Sequence, residues 1–536
     1  MNRVTAPSNR SLTRSWQAGL AALVAFVLAG AGIANAQVTT SVYAGPTPRA
    51  HCGPGGMPET GRQGRITQAD LDSGRAAQGF QCNLAVLGHF GQRGGYKVER
   101  YVDKAGHECA YYDTTLLFPK DAVLAAGVNV LDMTDPAHPA LTANLTTPAM
   151  LTPHESILLN QKRGLLVGVS ANPAFYPGIV DVYDVSADCR NPVLQSSLPV
   201  GTFGHESGFA PDGNTFYSSS LDGGFITAID LTNPMLTKPV WFDNQIGKIH
   251  GLSIRDDGNR AYLATRAGLI ILDTSQVQAR VVNPVVPVVS SLTWPTMSTP
   301  QITIPVTIKG HSYLVEIDEF GGGSAKIGAA RIIDIADDRH PAVISNIRLE
   351  VNMAENQAGQ ANDPGATTTF RGYAGHYCEV PSRVEPGVVA CTFILSGLRL
   401  FDIHDPYHPK ELGYFNPPPR KVIPGAPAAA DPVSNYAMSK PTFVPRRNEI
   451  WYSDGNNGFY VLGVANNVWT PTRAQLAGGA PGGAPATIPA AAAGGRLSST
   501  PGTSTGGPVG YSLLAFGSAG MVLALGLGVV RQRRRG

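Results

Sequence analysis

One short phrase recurs along most of this chain: a hydrophobic triplet, an Asp, another hydrophobe, then a polar turn closed by Pro. It reads VNVLDMTDPAHP from Val128, IVDVYDVSADCRNP from Ile179, FITAIDLTNP from Phe225, LIILDTSQ from Leu269, ARIIDIADDRHP from Ala330 and LRLFDIHDPYHP from Leu398, with a worn copy, FYVLGVANN, from Phe459. Repetition of this kind means one supersecondary unit stacked many times. The repeat aspartates are Asp132, Asp184, Asp230, Asp273, Asp334 and Asp402, and Gly463 takes that slot in the last copy. Their spacing of roughly 45 to 70 residues suits a four-stranded propeller blade and is too long for leucine-rich or helical solenoid units.

Strand and turn signals inside a copy agree. In the third, Pro211-Asp212-Gly213-Asn214 and Asp222-Gly223-Gly224 mark tight turns between short runs rich in β-branched and aromatic residues, because Asp-Gly and Gly-Gly supply the positive φ that hairpins need. The Asp-Pro phrase ends the third strand, since Pro lacks a ladder N–H. A fourth strand follows, as at 140–146 or 410–415. Seven copies predict an all-β, seven-bladed β-propeller over residues 82–466. The segment Cys82 to Phe90 has no blade of its own, so it is expected to pair with the last copy and close the ring.

The phrase resembles the LVIVD repeat of exported bacterial β-propellers, a resemblance that spans about Cys82 to Val464. It implies a fold and an exported location and carries no catalytic residues. A more distant similarity, in architecture and in histidines near a propeller channel, is to the selenium-binding protein and methanethiol oxidase family, with no motif specific to it.

The ends of the chain predict export and anchoring. Residues 1–36 read as a signal peptide: Arg3, Arg10 and Arg14 without an acid, an apolar run Ala18 to Ile33, and Ala34-Asn35-Ala36 as a cleavage site. Residues 37–81 form an N-terminal extension. A linker rich in Gly, Ala, Pro, Ser and Thr covers 467–510, and most of it lacks hydrophobes large enough to pack. The apolar run 511–530 is long enough to cross a bilayer as one helix, and Arg-rich 531–536 then stays cytoplasmic. The expectation is a propeller tethered outside the cytoplasm.

Charge narrows the partners. Removing the leader and tail leaves 34 basic against 39 acidic residues, a net −5, which argues against nucleic acid as the principal partner. The six cysteines are even in number and all lie in the exported part, as a disulfide framework requires. Cys378 and Cys391 flank the Glu385-Pro386-Gly387 turn and should bond across a hairpin. Cys82 with Cys109 is the next pairing expected, and Cys52 with Cys189 follows by elimination.

Five of the 12 histidines precede an inner strand at a similar distance from the repeat Asp: His107, His154, His205, His250 and His376. Equivalent propeller positions converge on the axis, so five imidazoles there would make a divalent transition-metal site or a cationic pocket for an anion. Glu108, Glu155 and Glu206 would orient the rings or ligate themselves. The plain alternative is a wet channel whose histidines bond to backbone and water. Lys440 occupies the same phase in the last copy. Glu316, Asp318 and Glu319 are expected at the same channel end, as a solvated rim. The repeat aspartates read as turn-capping groups.

No nucleophile elbow or phosphate loop occurs. These observations point first to a membrane-tethered scaffold that binds a protein or small-molecule ligand. A metal-dependent oxidoreductase or hydrolase using the channel histidines is the alternative from another class, and a purely structural surface protein is a third. Fold alone does not choose among them.

Overall fold

In a computed structural model, every copy of the repeat phrase becomes the third strand of an antiparallel sheet, and seven such sheets form a β-propeller. The structure describes residue 42 and residues 45–477 apart from 116–125, 172–175, 222, 325, 368–371 and 422–432. The signal peptide, most of the linker, the apolar run 511–530 and the Arg-rich tail lie outside the described residues, among which no helix is long and apolar enough to cross a membrane.

Numbering blades along the chain, the inner strands are Val98–Val102, Leu158–Asn160, Ser207–Phe209, Ile249–Ile254, Thr299–Ile308, Gly375–Glu379 and Thr442–Val444. In blades 1 to 5 the strands follow in sequence order from the axis outward. Blade 3 continues with Thr215–Ser219, Ile226–Asp230 and Lys238–Asp243, and its turn glycines Gly213 and Gly224 have φ of +77° and +69°. In blade 3 the second strand is buried along its whole length, whereas the fourth is largely exposed. Pairing with that outer strand carries a bulge in every blade, which increases the local twist.

The repeat aspartates hold the turn that leaves the third strand. The carboxylates of Asp132, Asp230, Asp334 and Asp402 each accept the backbone N–H two residues on at 2.9 Å. The following Asp135, Asp337 and Asp405 do the same and bond His138, His340 and His408 through Nδ1 at 2.8 Å. Those three histidines are exposed turn residues, as their phase predicts.

A blade is apolar on both faces, and each interface between neighbours has its own buried cluster. Tyr111, Val130 and Leu166 lie between blades 1 and 2, for example, and Tyr217, Ile254 and Leu263 between 3 and 4. Val98, Tyr112, Trp451 and Val461 join blade 7 to blade 1 and so complete the ring. Each fully buried aliphatic side chain contributes roughly 1.5–3 kcal/mol by leaving water.

Closure occurs through the N-terminal segment, with one correction. Leu84–Phe90 pairs antiparallel with Gly458–Val464 as the outer strand of blade 7. Cys82 belongs instead to a separate strand, Phe80–Cys82, which adds a fifth strand to blade 6 through Lys410–Asn416. Asn83 makes the break: its φ is +60°, and its side-chain amide donates to the His51 and Leu412 carbonyls. The N-terminal extension packs on blade 6, where buried Arg399 bonds Glu59 and, at 3.0 Å, Glu411.

This route overturns two of the expected disulfides. The bonds are Cys52–Cys82, Cys109–Cys189 and Cys378–Cys391. Only the last matches the expectation, its cysteines being direct cross-strand partners. The turn at Asn83 keeps Cys82 with the extension, while Cys109 on the second strand of blade 1 faces the turn after the third strand of blade 2. Three disulfides suit an oxidising, extracytoplasmic compartment.

Candidate functional site

The blades deliver side chains to the axis in pairs of consecutive residues at or just before the inner strand: Tyr96-Lys97, His154-Glu155, His205-Glu206, His250-Gly251, Pro300-Gln301 and His376-Tyr377. The first member of most pairs contributes to an aromatic ring around the axis. Centroids are 4.4 Å apart for Tyr96 and His154, 4.5 Å for His154 and His205, 4.5 Å for His205 and His250, and 5.6 Å for His376 and Tyr96. His154 adopts φ +53°, the left-handed region disfavoured for a residue with Cβ, and such outliers concentrate at functional sites.

Four of the five expected histidines therefore meet, and two carboxylates stand among them. Glu155 Oε1 lies 3.3 Å from His376 Nε2 and 3.9 Å from His154 Nε2; its Oε2 lies 3.4 Å from His205 Nε2 and 3.8 Å from His250 Nε2. Glu319 completes the set, with Oε1 3.1 Å from His250 Nε2 and Oε2 3.3 Å from His376 Nε2. Metal–ligand bonds of about 2.1 Å place adjacent donors about 3.0–3.4 Å apart in octahedral or tetrahedral sites, which matches the shorter of these separations.

Backbone carbonyls fix the rings. His250 Nδ1 bonds the Pro300 carbonyl at 2.9 Å, and His376 Nδ1 bonds the Met438 carbonyl at 2.6 Å. A carbonyl only accepts, so both Nδ1 atoms carry hydrogen and the neutral rings present an Nε2 lone pair to the axis. The buried Nε2 atoms of His205, His250 and His376 each stand 3.1–3.4 Å from a carboxylate oxygen, an arrangement that needs a proton or a metal ion between the two lone pairs. Lone pairs that face one another in a buried site repel, and a bound cation relieves that repulsion as a proton does.

Electrostatics favours a cation here. Burial alone would raise the Glu155 carboxyl, but His205 and His376 hold it well below the usual range. Burial lowers the pKa of His154 and carries that of His205 well below the ordinary value. His376 goes the other way: burial opposes its charge, yet Glu155 and Glu319 push it up to about 9. In the metal-free chain a proton thus takes the place between the carboxylates. Four neutral imidazoles and two carboxylates sum to −2, and the nitrogen and oxygen donors suit a borderline divalent transition metal. Thiolates take no part, as all six cysteines are in disulfides.

Beneath this ring the second residues of the pairs form a buried polar floor. Lys97 Nζ and the Tyr377 hydroxyl both bond Glu206, and Gln301 Nε2 donates to Glu155 Oε2 at 2.6 Å. Glu206 is thus an ion-pair partner of Lys97 and orients no imidazole, which corrects that expectation; Glu155 reaches the histidines themselves. Side-chain exposure separates the two sides of the ring: His250 and His376 are 0% exposed, His154 15% and His205 22%.

His107 is absent from the site, and so is Glu108. His107 sits in the hairpin at the far end of the inner strand of blade 1, where its Nδ1 bonds Asp103 at 2.8 Å. Glu108 pairs with Arg100 and Arg447. Extra sequence between Asp113 and Val128 lengthens blade 1, so counting back from Asp132 stops a hairpin short of the axial pair Tyr96-Lys97. Lys440 turns away to Glu99 and Glu379. Of the three acids expected at a rim, Glu316 and Asp318 face buried Arg331, and strand alternation sends Glu319 to the opposite face, 2% exposed and inside the ring.

No family model and no curated protein matches the chain. Among solved structures it is similar to a chain of "Crystal Structure of Mitotic Checkpoint Complex", at 11% identity and a TM-score of 0.43, covering 72% of this chain and 94% of that one. A likeness at that level carries no argument about function.

Proposed function

We propose that this chain is an exported β-propeller that holds a divalent transition metal on its axis and acts as a metal-dependent enzyme, an oxidoreductase or hydrolase. The observation that carries this reading is the convergence of the Nε2 atoms of His205, His250 and His376 on the carboxylates of Glu155 and Glu319, at 3.1–3.4 Å. A small molecule would reach the metal past His154 and His205, the two partly exposed ligands, since a catalytic metal keeps one side open. Three disulfides support export. The leader at 1–36, the apolar run 511–530 and the basic tail support a membrane tether, and the repeat supports membership of the LVIVD propellers.

A binding scaffold is the second reading, favoured by apolar side chains on the outer parts of blades 3 and 4, such as Leu236 at 72% and Val282 at 85% exposure. Elemental analysis of the purified chain separates the two. The metal reading expects bound Cu, Zn, Fe or Mn that His250→Ala with His376→Ala removes and His138→Ala with His408→Ala leaves in place. A chain that is metal-free as purified and shows no tight binding of these ions at neutral pH would leave the scaffold.

A further inference from the structure

We infer that the axis holds two metal ions, bridged by Glu155, rather than one; this rests on the metal reading above. The donor atoms fall into two sets, each with all members within 4.8 Å of one another: His154, Glu155 and His205 in the first, Glu155, Glu319 and His376 in the second. They share Glu155 alone. His250 joins the second set through Glu319 Oε1 at 3.1 Å, with Glu155 Oε2 at 3.8 Å.

The two sets are unlike in surroundings. The second is closed: His250, His376, Glu155 and Glu319 are all 2% exposed or less, and two of its rings are fixed by backbone carbonyls. The first is less enclosed, the His154 and His205 side chains being 15% and 22% exposed although the His205 Nε2 is itself buried. Both oxygens of Glu155 stand toward imidazoles, as a bridging carboxylate requires, and Gln301 holds that carboxylate from below. Divided between the sets, His154, His205 and one Glu155 oxygen offer the first ion three donors, and His250, His376, the other Glu155 oxygen and the two Glu319 oxygens offer the second five. Ions sharing such ligands sit about 3.5–4 Å apart.

Charge then specifies what else binds. Two divalent ions against two carboxylates leave an excess of two positive charges. Hydroxide together with a singly charged anion, or one doubly charged oxyanion, bridging the pair would neutralise it, which selects an oxyanion or carboxylate ligand class.

The test is a titration of the full, metal-stripped chain with Mn(II) or Cu(II), following bound metal by elemental analysis and the ions' coupling by electron paramagnetic resonance. Wild type should bind two equivalents with a spin-coupled signal. His154→Ala and Glu319→Gln should each bind one equivalent with an uncoupled signal, and Glu155→Gln should lose the coupling. Circular dichroism identifies any variant that has not folded, and the wild-type stoichiometry decides without variants. One equivalent in wild type, uncoupled and abolished by any of the four histidine substitutions, overturns the pair while leaving a metal centre. Absence of any binding overturns both readings.

Discussion

The Nε2 atom of His376 lies 3.3 Å from Oε1 of Glu155, although one residue opens the inner strand of blade 6 and the other that of blade 2. Only a closed ring brings blades so far apart in sequence into contact, so the proposed metal centre doubles as a reporter of closure. His376→Ala should cut metal affinity at least tenfold, whereas His107→Ala, in the hairpin at the other end of its strand, should leave it unchanged. Isothermal titration of both variants checks this, and equal losses would place His107 back on the axis.

Gly88 sits at the bulge of the closing strand, where an added Cβ would stand 2.0 Å from the Pro136 carbonyl oxygen of blade 1. Gly88→Ala should therefore destabilise the propeller by about 1–3 kcal/mol, the usual cost of overpacking. Deleting Leu84–Phe90 should go further, expose the edge of blade 7 and cause aggregation. Chemical denaturation and size-exclusion chromatography read the two outcomes; an unchanged monomer after the deletion would contradict this mode of closure.

The disulfides span 80, 30 and 13 residues for Cys109–Cys189, Cys52–Cys82 and Cys378–Cys391. Loop entropy ranks their contributions at about 4.5, 4 and 3 kcal/mol. Paired Cys→Ser variants should lose stability in that order, and peptide mapping without reductant should recover these three pairs. Recovery of a Cys82–Cys109 peptide would refute the connectivity.

Burial pushes the Asp113 carboxyl up to about 7, even though the N–H groups of Tyr96 and Lys97 donate to it. Its folded pKa lies above the unfolded value, so the native state binds the extra proton between about pH 4 and 7 and stability falls as pH rises through that window. Full loss amounts to about 4 kcal/mol. Asp113→Asn should flatten this part of the profile, with thermal unfolding followed from pH 4 to 8. An identical slope in the variant would assign the effect to other buried acids.

Local sequence determined the repeating unit, because the requirements of a turn are met within a few residues: Asp230 finds Thr232 N–H, and Gly213 takes the positive φ, whatever the rest of the chain does. It likewise determined the blade number, the need for a closing strand, the Cys378–Cys391 pair and five of the six axial residues, the four histidines and Glu155, since duplicated units place duplicated residues alike. Tertiary structure alone decided what depends on how units meet. Extra residues in blade 1 moved His107 off the axis, a single αL residue at Asn83 sent Cys82 to Cys52, and strand alternation turned Glu319 inward while Glu316 and Asp318 went to Arg331. Counting along a chain measures contour length. A metal site depends on distance through space, and only the closed ring converts one into the other.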